Sequence, residues 1–503
     1  MASSSGAATS SARRQAQIDA LLAAPTEAAE SAYYARLTAA LGVSGDVAVR
    51  RVRHGKGLVA ARDFAEGDRV LVEPPLVGMQ HERNRRHALV CGQCFRYVGA
   101  VEHQIARRLL ADDADADADA PSPDAPPRAH LEALRDGRAT LPLAARFAGP
   151  APVPCRGGCA REAFCSPECE SAAWRAHERV VCVGRRTECR DGPANAEAFV
   201  EHARATNDVF ILVARLINRV AADAEAILEA KRALPEDSSE AEAGTRGGDD
   251  DDDGEDGGED ALVSLALAKA WEPFAMGAKC VWWEGVARPE DVPEGAPEAE
   301  FRASMRDIAE ESLRLLERCA PPSRVAAFPA LFSLDVFGRV VGMFERNNLE
   351  IAVASPVEDY FLEVDALDDG SAEKEAALAD TAPLLDALDL EYDAPLEGSG
   401  FFALQSCCNS DCDPNVAPRK DDGDDDGRCV LIATRAIRAG EELTMCYVDE
   451  TADVRERRAQ LMDYGFECAC ETCERDAATL AKNETNEKED HRAASGSRRG
   501  KTK

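Results

Sequence analysis

The spacing of the cysteines constrains this chain more than any other feature. Close pairs recur as Cys91-x2-Cys94, Cys155-x3-Cys159 and Cys165-x3-Cys169, and His177-x4-Cys182 follows. Eight sulfur and nitrogen ligands in four ordered pairs match the needs of two tetrahedral structural zinc sites. No secretory-type apolar segment is evident, so the 18 cysteines are expected in a reducing compartment. There clustered thiols bind metal in preference to forming disulfides. A third group, Cys468-x-Cys470-x2-Cys473, lies near the end, and QSCCNSDCDPNV at 405–416 holds three cysteines in six residues.

At 503 residues the chain has room for two to four domains. Residues 47–77 alternate apolar and polar side chains and break at glycines, which predicts short strands joined by tight turns. Helical periodicity runs from about 195 to 234 and resumes near 261–275 and 300–319. Strand character returns from Gly398 in GSGFFALQS, CVLIATRAI and EELTMCYV. There is no internal repeat. Strands therefore flank an inserted cysteine module and a helical segment, so one β-domain is split in sequence. The fold class expected is α+β.

The formal charge is -34, and 19 of those negative charges lie in acidic runs at 112–119, 249–260 and 421–426. These read as solvated loops, or as a surface that attracts basic protein tails. Either reading disfavours non-specific nucleic-acid binding, which needs a basic face. No apolar run approaches the ~20 residues of a membrane span. The Ser/Ala-rich start, with two arginines before its first acid, reads as a disordered segment or a weak organelle-targeting signal.

The first constellation, with CSPEC at 165–169 and Trp174 ahead of the histidine, resembles a MYND zinc finger. That resemblance puts Cys91, Cys94, Cys165 and Cys169 on one zinc and Cys155, Cys159, His177 and Cys182 on another. The chain departs from the family in a long gap after the first pair, and in one extra residue within each of the second and fourth pairs. A RING-type ubiquitin ligase would also cross-brace two zincs. Four further stretches, HGKGL (54–58), NSDCDPN (409–415), GEELTMCYVD (440–449) and YGFECACETC (464–473), resemble the SET fold of protein lysine methyltransferases. Their order around the finger is that of the SET-and-MYND family, nearest in pattern to its fifth member and similar plant proteins.

The resemblance implies a SET-type β-fold split by the finger and by a helical segment. The expected layout is a partly disordered segment at 1–45, the first SET part at 46–90 and the finger with its acidic and proline-rich insertion at 91–182. A helical insertion at 183–330 follows, disordered over 244–260, then the second SET part at 331–450. A post-SET zinc segment at 451–475 and a disordered tail at 476–503 complete it.

The same resemblance implies binding of S-adenosylmethionine. Gly55, Lys56 and Gly57 would take the methionine end in a turn, where missing Cβ atoms let backbone amides approach a carboxylate. Asn409, Ser410 and Asn347 would contact the cofactor, with Asn348 an equal match for Asn347. Phe466 would stack on the adenine. Tyr447 is the expected catalytic tyrosine and also touches the cofactor, and Tyr464 would line the lysine channel. Cys412 would complete a third structural zinc with Cys468, Cys470 and Cys473, giving that triplet its fourth ligand. Cys407 and Cys408 read as small buried residues. Ser410 and Asp411 stand where the family has His and Ser, and Asp411 brings a negative charge close to the expected cofactor.

The function implied is methylation of lysines on basic proteins such as histones or ribosomal proteins, in the cytoplasm or nucleus. The finger would bind proline-rich peptides. The competing class is a zinc-stabilised adaptor that has lost methyl transfer.

Overall fold

The computed structural model describes residues 3–115, 126–233, 254–277, 279–288, 297–389, 392–421 and 423–482. The expected disorder over 244–253 and from 483 onward lies outside these residues. Twelve strands are described: β1 (Val47–Val52), β2 (Gly55–Ala60), β3 (Arg69–Glu73), β4 (Val77–Gln80), β5 (Val153–Pro154), β6 (Ala163–Phe164), β7 (Asn348–Val353), β8 (Leu396–Phe401), β9 (Asn409–Ser410), β10 (Val416–Pro418), β11 (Cys429–Ala433) and β12 (Glu442–Met445). Three sheets carry the orders β1-β2-β12-β9, β10-β11-β3 and β4-β8-β7. Each mixes strands from before residue 81 with strands from after residue 347, so one β-domain is assembled from both halves of the chain. β5 and β6 form a separate ribbon in the finger.

β11 shows why register is secure here. All five of its residues are buried between β10 and β3, and its sequence CVLIA is the near-continuous apolar run such a central strand requires. Leu58, Leu71, Leu431 and Leu443 form the β-core, which Tyr33 and Tyr34 of the Glu27–Ala40 helix close. The helix Val209–Arg232 is apolar on nearly every face over residues 209–221 and is buried accordingly. It packs against Trp271, Phe337 and Phe344, and Phe401 of β8 reaches into this helical core.

Four segments differ from the sequence reading. Residues 3–40 are not disordered: helices Ser3–Leu22 and Glu27–Ala40 occupy them, the second capped by Thr26. The Ser/Ala-rich composition hides two apolar residues at helical spacing, Ile18 and Leu21, which are buried in the helical core. The Trp271 indole N–H also donates to Leu21 O at 2.8 Å. The acidic loop at 421–426 is pinned, not merely solvated. Arg69 of β3 meets Asp424 at 2.5 Å, and Arg96 of the finger meets Asp425 at 2.9 Å. Residues 471–482 are helical, and Leu480 packs beside the third cysteine group. Of the run at 244–260, Gly254 onward belongs to the helix Gly254–Ala275.

Inside the second SET part, helices Pro356–Asp365 and Ala372–Leu388 pack against Val101–Asp115 and Arg128–Arg135 of the finger's insertion. Ile105, Leu131, Leu134, Tyr360 and Leu384 make this a small core of its own. Buried Arg108 ties it to Ala394 O at 2.9 Å. Among the described residues, no helix is long and apolar enough to cross a membrane.

If the N-terminal helix is part of the folded unit, Leu21→Ala should cost about 2–5 kcal/mol, the range for truncating a buried leucine. A chemical-denaturation midpoint equal to that of the wild type would show the helix to be dispensable.

Candidate active site and zinc-binding clusters

The site begins at the β1–β2 hairpin. Val52 pairs with Gly55, so the tight turn is Arg53-His54, and the two glycines lie on strand β2 instead of in a turn. Each glycine has its own cause. Gly55 has φ +106°, where a Cβ is strained. A Cβ on Gly57 would lie 2.6 Å from Val52 Cγ2. Lys56 between them turns its ammonium to Tyr34 Oη (2.8 Å) and Met276 O (2.6 Å). Lys279 holds the carbonyls of Ala275 and Gly277. Burial, helped by the nearby Lys56 charge, lowers its ammonium to about 8.

β9 then pairs in parallel with β12, Asn409 against Thr444 and Ser410 against Met445. The Asn409 amide donates to Lys56 O at 3.1 Å and to Glu442 Oε1 at 2.7 Å. Asn409 therefore fastens the β2 strand, its own segment and β12 at one point. Two residues beyond β12, the Tyr447 hydroxyl donates to Cys408 O at 2.5 Å. Burial raises this hydroxyl above its ordinary range and keeps it protonated. The Tyr464 ring lies 5.0 Å from that of Tyr447, and the Phe466 ring meets it edge-on at 6.5 Å. Phe466 is 36 % exposed, so a large part of its surface is free.

A cleft of about 400 Å³ opens against these residues, and Asn347, Asn348, Gln405, Ser406, Tyr447 and Tyr464 are among those lining it. Asn347 donates to Met343 O within its helix, and both asparagines reach the wall. Two buried polar atoms, Gln405 Oε1 in the cleft wall and Ser410 Oγ on β9 outside it, have no hydrogen-bond partner among the described residues. Such atoms are costly unless a ligand or water satisfies them. Asp411 spends its carboxylate locally: Oδ1 accepts from Asp413 N at 2.9 Å, an Asx turn at a partly exposed position. Sequence reasoning missed Gln405, Glu442 and Tyr34. Gln405 and Glu442 each sat within a stretch already singled out, QSCCNSDCDPNV and GEELTMCYVD, whereas Tyr34 lay outside every motif.

The cysteine groups assemble as three clusters, each with ligand atoms within 4.8 Å of one another: Cys91, Cys94, Cys165 and Cys169; Cys412, Cys468, Cys470 and Cys473; and Cys155, Cys159 and Cys182. Zinc–sulfur bonds of ~2.3 Å in a tetrahedron imply sulfurs about 3.8 Å apart. Observed separations are 3.5 Å for Cys94–Cys165 and Cys165–Cys169, 3.7 Å for Cys155–Cys182 and 3.6 Å for Cys412–Cys473. The donor sets fit zinc. In the three-thiol cluster hydrogen bonds from Cys155 and Cys182 lower the Cys159 thiol, and the same contacts raise Cys155 and Cys182 in turn. Cys407 and Cys408 are buried outside every cluster.

His177 departs from expectation, because neither of its nitrogens joins the three sulfurs within 4.8 Å. Its Nδ1 faces Glu178 Oε1 at 3.2 Å, which leaves Nε2 as the nitrogen for any ion. The cause lies in the spacing. The extra residue before Cys182 is taken up by a π-helical turn at Trp174–Glu178, a widened turn that re-aims the side chains on it. Glu178 is held in turn by buried Arg215, which also bonds Glu162 and the carbonyls of Gly78 and Gly92.

A split β-domain with a half-buried tyrosine at the end of a strand, an asparagine-bearing ladder and cysteine clusters on either side is the arrangement of a lysine methyltransferase of the SET class. Residues 289–448 match the SET domain family. The chain is 36% identical over 454 residues to histone-lysine N-methyltransferase ATXR2 of Arabidopsis thaliana, covering 85% of this chain and 89% of that one. It is 24% identical over 437 residues to protein-lysine N-trimethyltransferase SMYD5 of Gallus gallus, covering 83% of each. Over 91 residues it is 41% identical to histone-lysine N-methyltransferase SMYD3 of Mus musculus, 17% of this chain and 20% of that one. The chain belongs to the SET-and-MYND family of lysine methyltransferases.

Metal analysis of the full chain should give three zincs, falling to two in Cys412→Ser. A wild-type value of two that Cys155→Ser leaves unchanged would mean that the three-thiol cluster does not hold an ion.

Proposed function

We propose that the chain transfers methyl groups from S-adenosylmethionine to lysine side chains of basic proteins such as histones or ribosomal proteins. The observation that carries this reading is the Tyr447 hydroxyl, fixed at 2.5 Å to Cys408 O at the wall of the cleft. Its hydrogen is committed to that carbonyl, so its oxygen lone pairs are free to accept from an incoming amine and to orient it.

When bound, S-adenosylmethionine supplies an electrophilic methyl group on a sulfonium. Transfer forms the nitrogen–carbon bond as the sulfur–carbon bond breaks, and the amine must be neutral to offer its lone pair. The rings of Tyr447 and Tyr464 provide an aromatic wall where desolvation favours the deprotonated lysine. Holding amine and methyl in line accounts for much of the rate gain such a site offers. Asn409 and Ser410 of β9, with Asn347 and Asn348 in the cleft wall, would hold the cofactor, whose polar groups would satisfy Gln405 Oε1. Lys56 and Lys279 would offer positive charge to the carboxylate of its methionine end. Phe466 would lie on the adenine, its exposed face being the surface available. Zinc in the two four-thiol clusters would maintain architecture, because four protein ligands leave no open position to activate water.

The acidic surface suits basic substrates, and the names of the relatives place histones and other proteins among theirs. A proline-rich peptide is the ligand proposed for the finger, and cytoplasm or nucleus the compartment. Labelled S-adenosylmethionine offered with basic cellular proteins should mark lysines when the wild type is present. Tyr447→Phe should lower the rate about 10²–10³-fold, the scale of losing one preorganised hydrogen bond at a reacting centre. Absence of label from folded, zinc-loaded wild type would overturn the reading.

A further inference from the structure

Glu73 closes strand β3 and is 2 % exposed, with no ion pair among the described residues. Its neighbours are uncharged at neutral pH: Tyr33 of the Glu27–Ala40 helix, Cys407 and Cys408 of the facing segment, and Cys429, its register partner on β11. A lone buried carboxylate is costly unless hydrogen bonds replace its water. Here backbone amides do so. Leu404 N donates to both oxygens, at 2.9 Å and 3.1 Å, and Gln405 N donates to Oε2 at 3.0 Å.

The segment thus gripped leads directly into the site. Gln405 lines the cleft, Cys408 O receives the Tyr447 hydroxyl, and Asn409 begins β9. We infer that Glu73 is a positioning residue: its ionised carboxylate holds the 404–408 segment where Cys408 O fixes Tyr447 and Asn409 meets the cofactor. This deepens the proposed function and rests on it in taking Asn409 as a cofactor contact.

A carboxylate only accepts hydrogen bonds. The protonated acid loses its charge and gains a donor, so it holds the two amides less strongly. Burial pushes the Glu73 carboxyl up to about 7, even though the backbone N–H groups of Leu404 and Gln405 pull it down. Protonation of Oε1 leaves Oε2 as acceptor for both amides but removes the charge that strengthens those bonds, so the segment is held tightly above that pH and more loosely below it.

Two measurements on the full-length, zinc-loaded chain test this. S-adenosylmethionine affinity, read by calorimetry without protein substrate so that lysine ionisation does not enter, should be constant above pH 8. It should weaken about tenfold by pH 6, the scale of one lost charge-assisted hydrogen bond. Glu73→Gln should bind at the weak level throughout, with no inflection near 7. An inflection that persists in Glu73→Gln would overturn the inference. Should that variant not fold, the Leu404 and Gln405 amide resonances of the wild type decide: both should titrate together with a midpoint near 7, and their failure to move between pH 6 and 8 would reject the role. Amides that titrate in a chain that binds no S-adenosylmethionine at any pH would support the grip and reject the cofactor reading instead.

Discussion

The side-chain amide of Asn409 joins residues 353 positions apart in sequence, and the rest of the site depends on that junction. β9 has two residues and cannot persist alone. It is held by the parallel ladder to β12 and by the Asn409 contacts to Lys56 O and Glu442. Once that register is set, Cys408 O is placed for Tyr447, and Cys412, two residues past the ladder, meets Cys473. One side chain thus couples the β1–β2 hairpin, Tyr447 and a cluster of four thiols. A change at Asn409 would therefore act on architecture as well as on any ligand.

Among the described residues no strand ladder joins the finger to this scaffold. Buried ion pairs fasten it beside apolar packing by Phe95 in the β-core and Val180 in the helical core. Arg215, 2 % exposed on the central helix, reaches Gly78 O on β4, Gly92 O beside the first ligand pair, and both Glu162 and Glu178 within the finger. Arg85 adds a second contact to Glu162 at 2.7 Å. Buried ion pairs contribute little net stability but specify geometry strongly, because a misplaced partner leaves a bare charge in the interior. The finger is accordingly held in one orientation relative to β4.

Much of the β-domain was legible because its motifs are local. HGKGL, the cysteine groups and the TMCYVD strand end each carry their own chemistry, and the clusters of four thiols assemble with the partners the family resemblance implied. Four things were not legible, each for a physical reason. The glycines of HGKGL read as a turn, because sequence cannot show that Val52 occupies the space beside Gly57. Ile18 and Leu21 looked isolated in a polar segment, because the surface they cover, near Trp271, lies 250 residues away. His177 was assigned from its distance to Cys182, and a π-helical turn changes where a side chain points without changing that count. The helices at 356–388 escaped notice because the surface they need belongs to an insertion on the other side of the finger.

The interleaved sheets also dictate how such a chain must come into being. β2 borders β12, and β3 borders β11, so the first strands made wait for more than 350 residues of synthesis before their neighbours exist. Until then the free backbone edge of β2 is open to any other strand it meets. The helical core around Val209–Arg232 is more local and can consolidate earlier. A ribosome stalled before residue 440 therefore carries a folded helical core beside an unpaired apolar hairpin, and chaperone engagement during synthesis would fall on that hairpin.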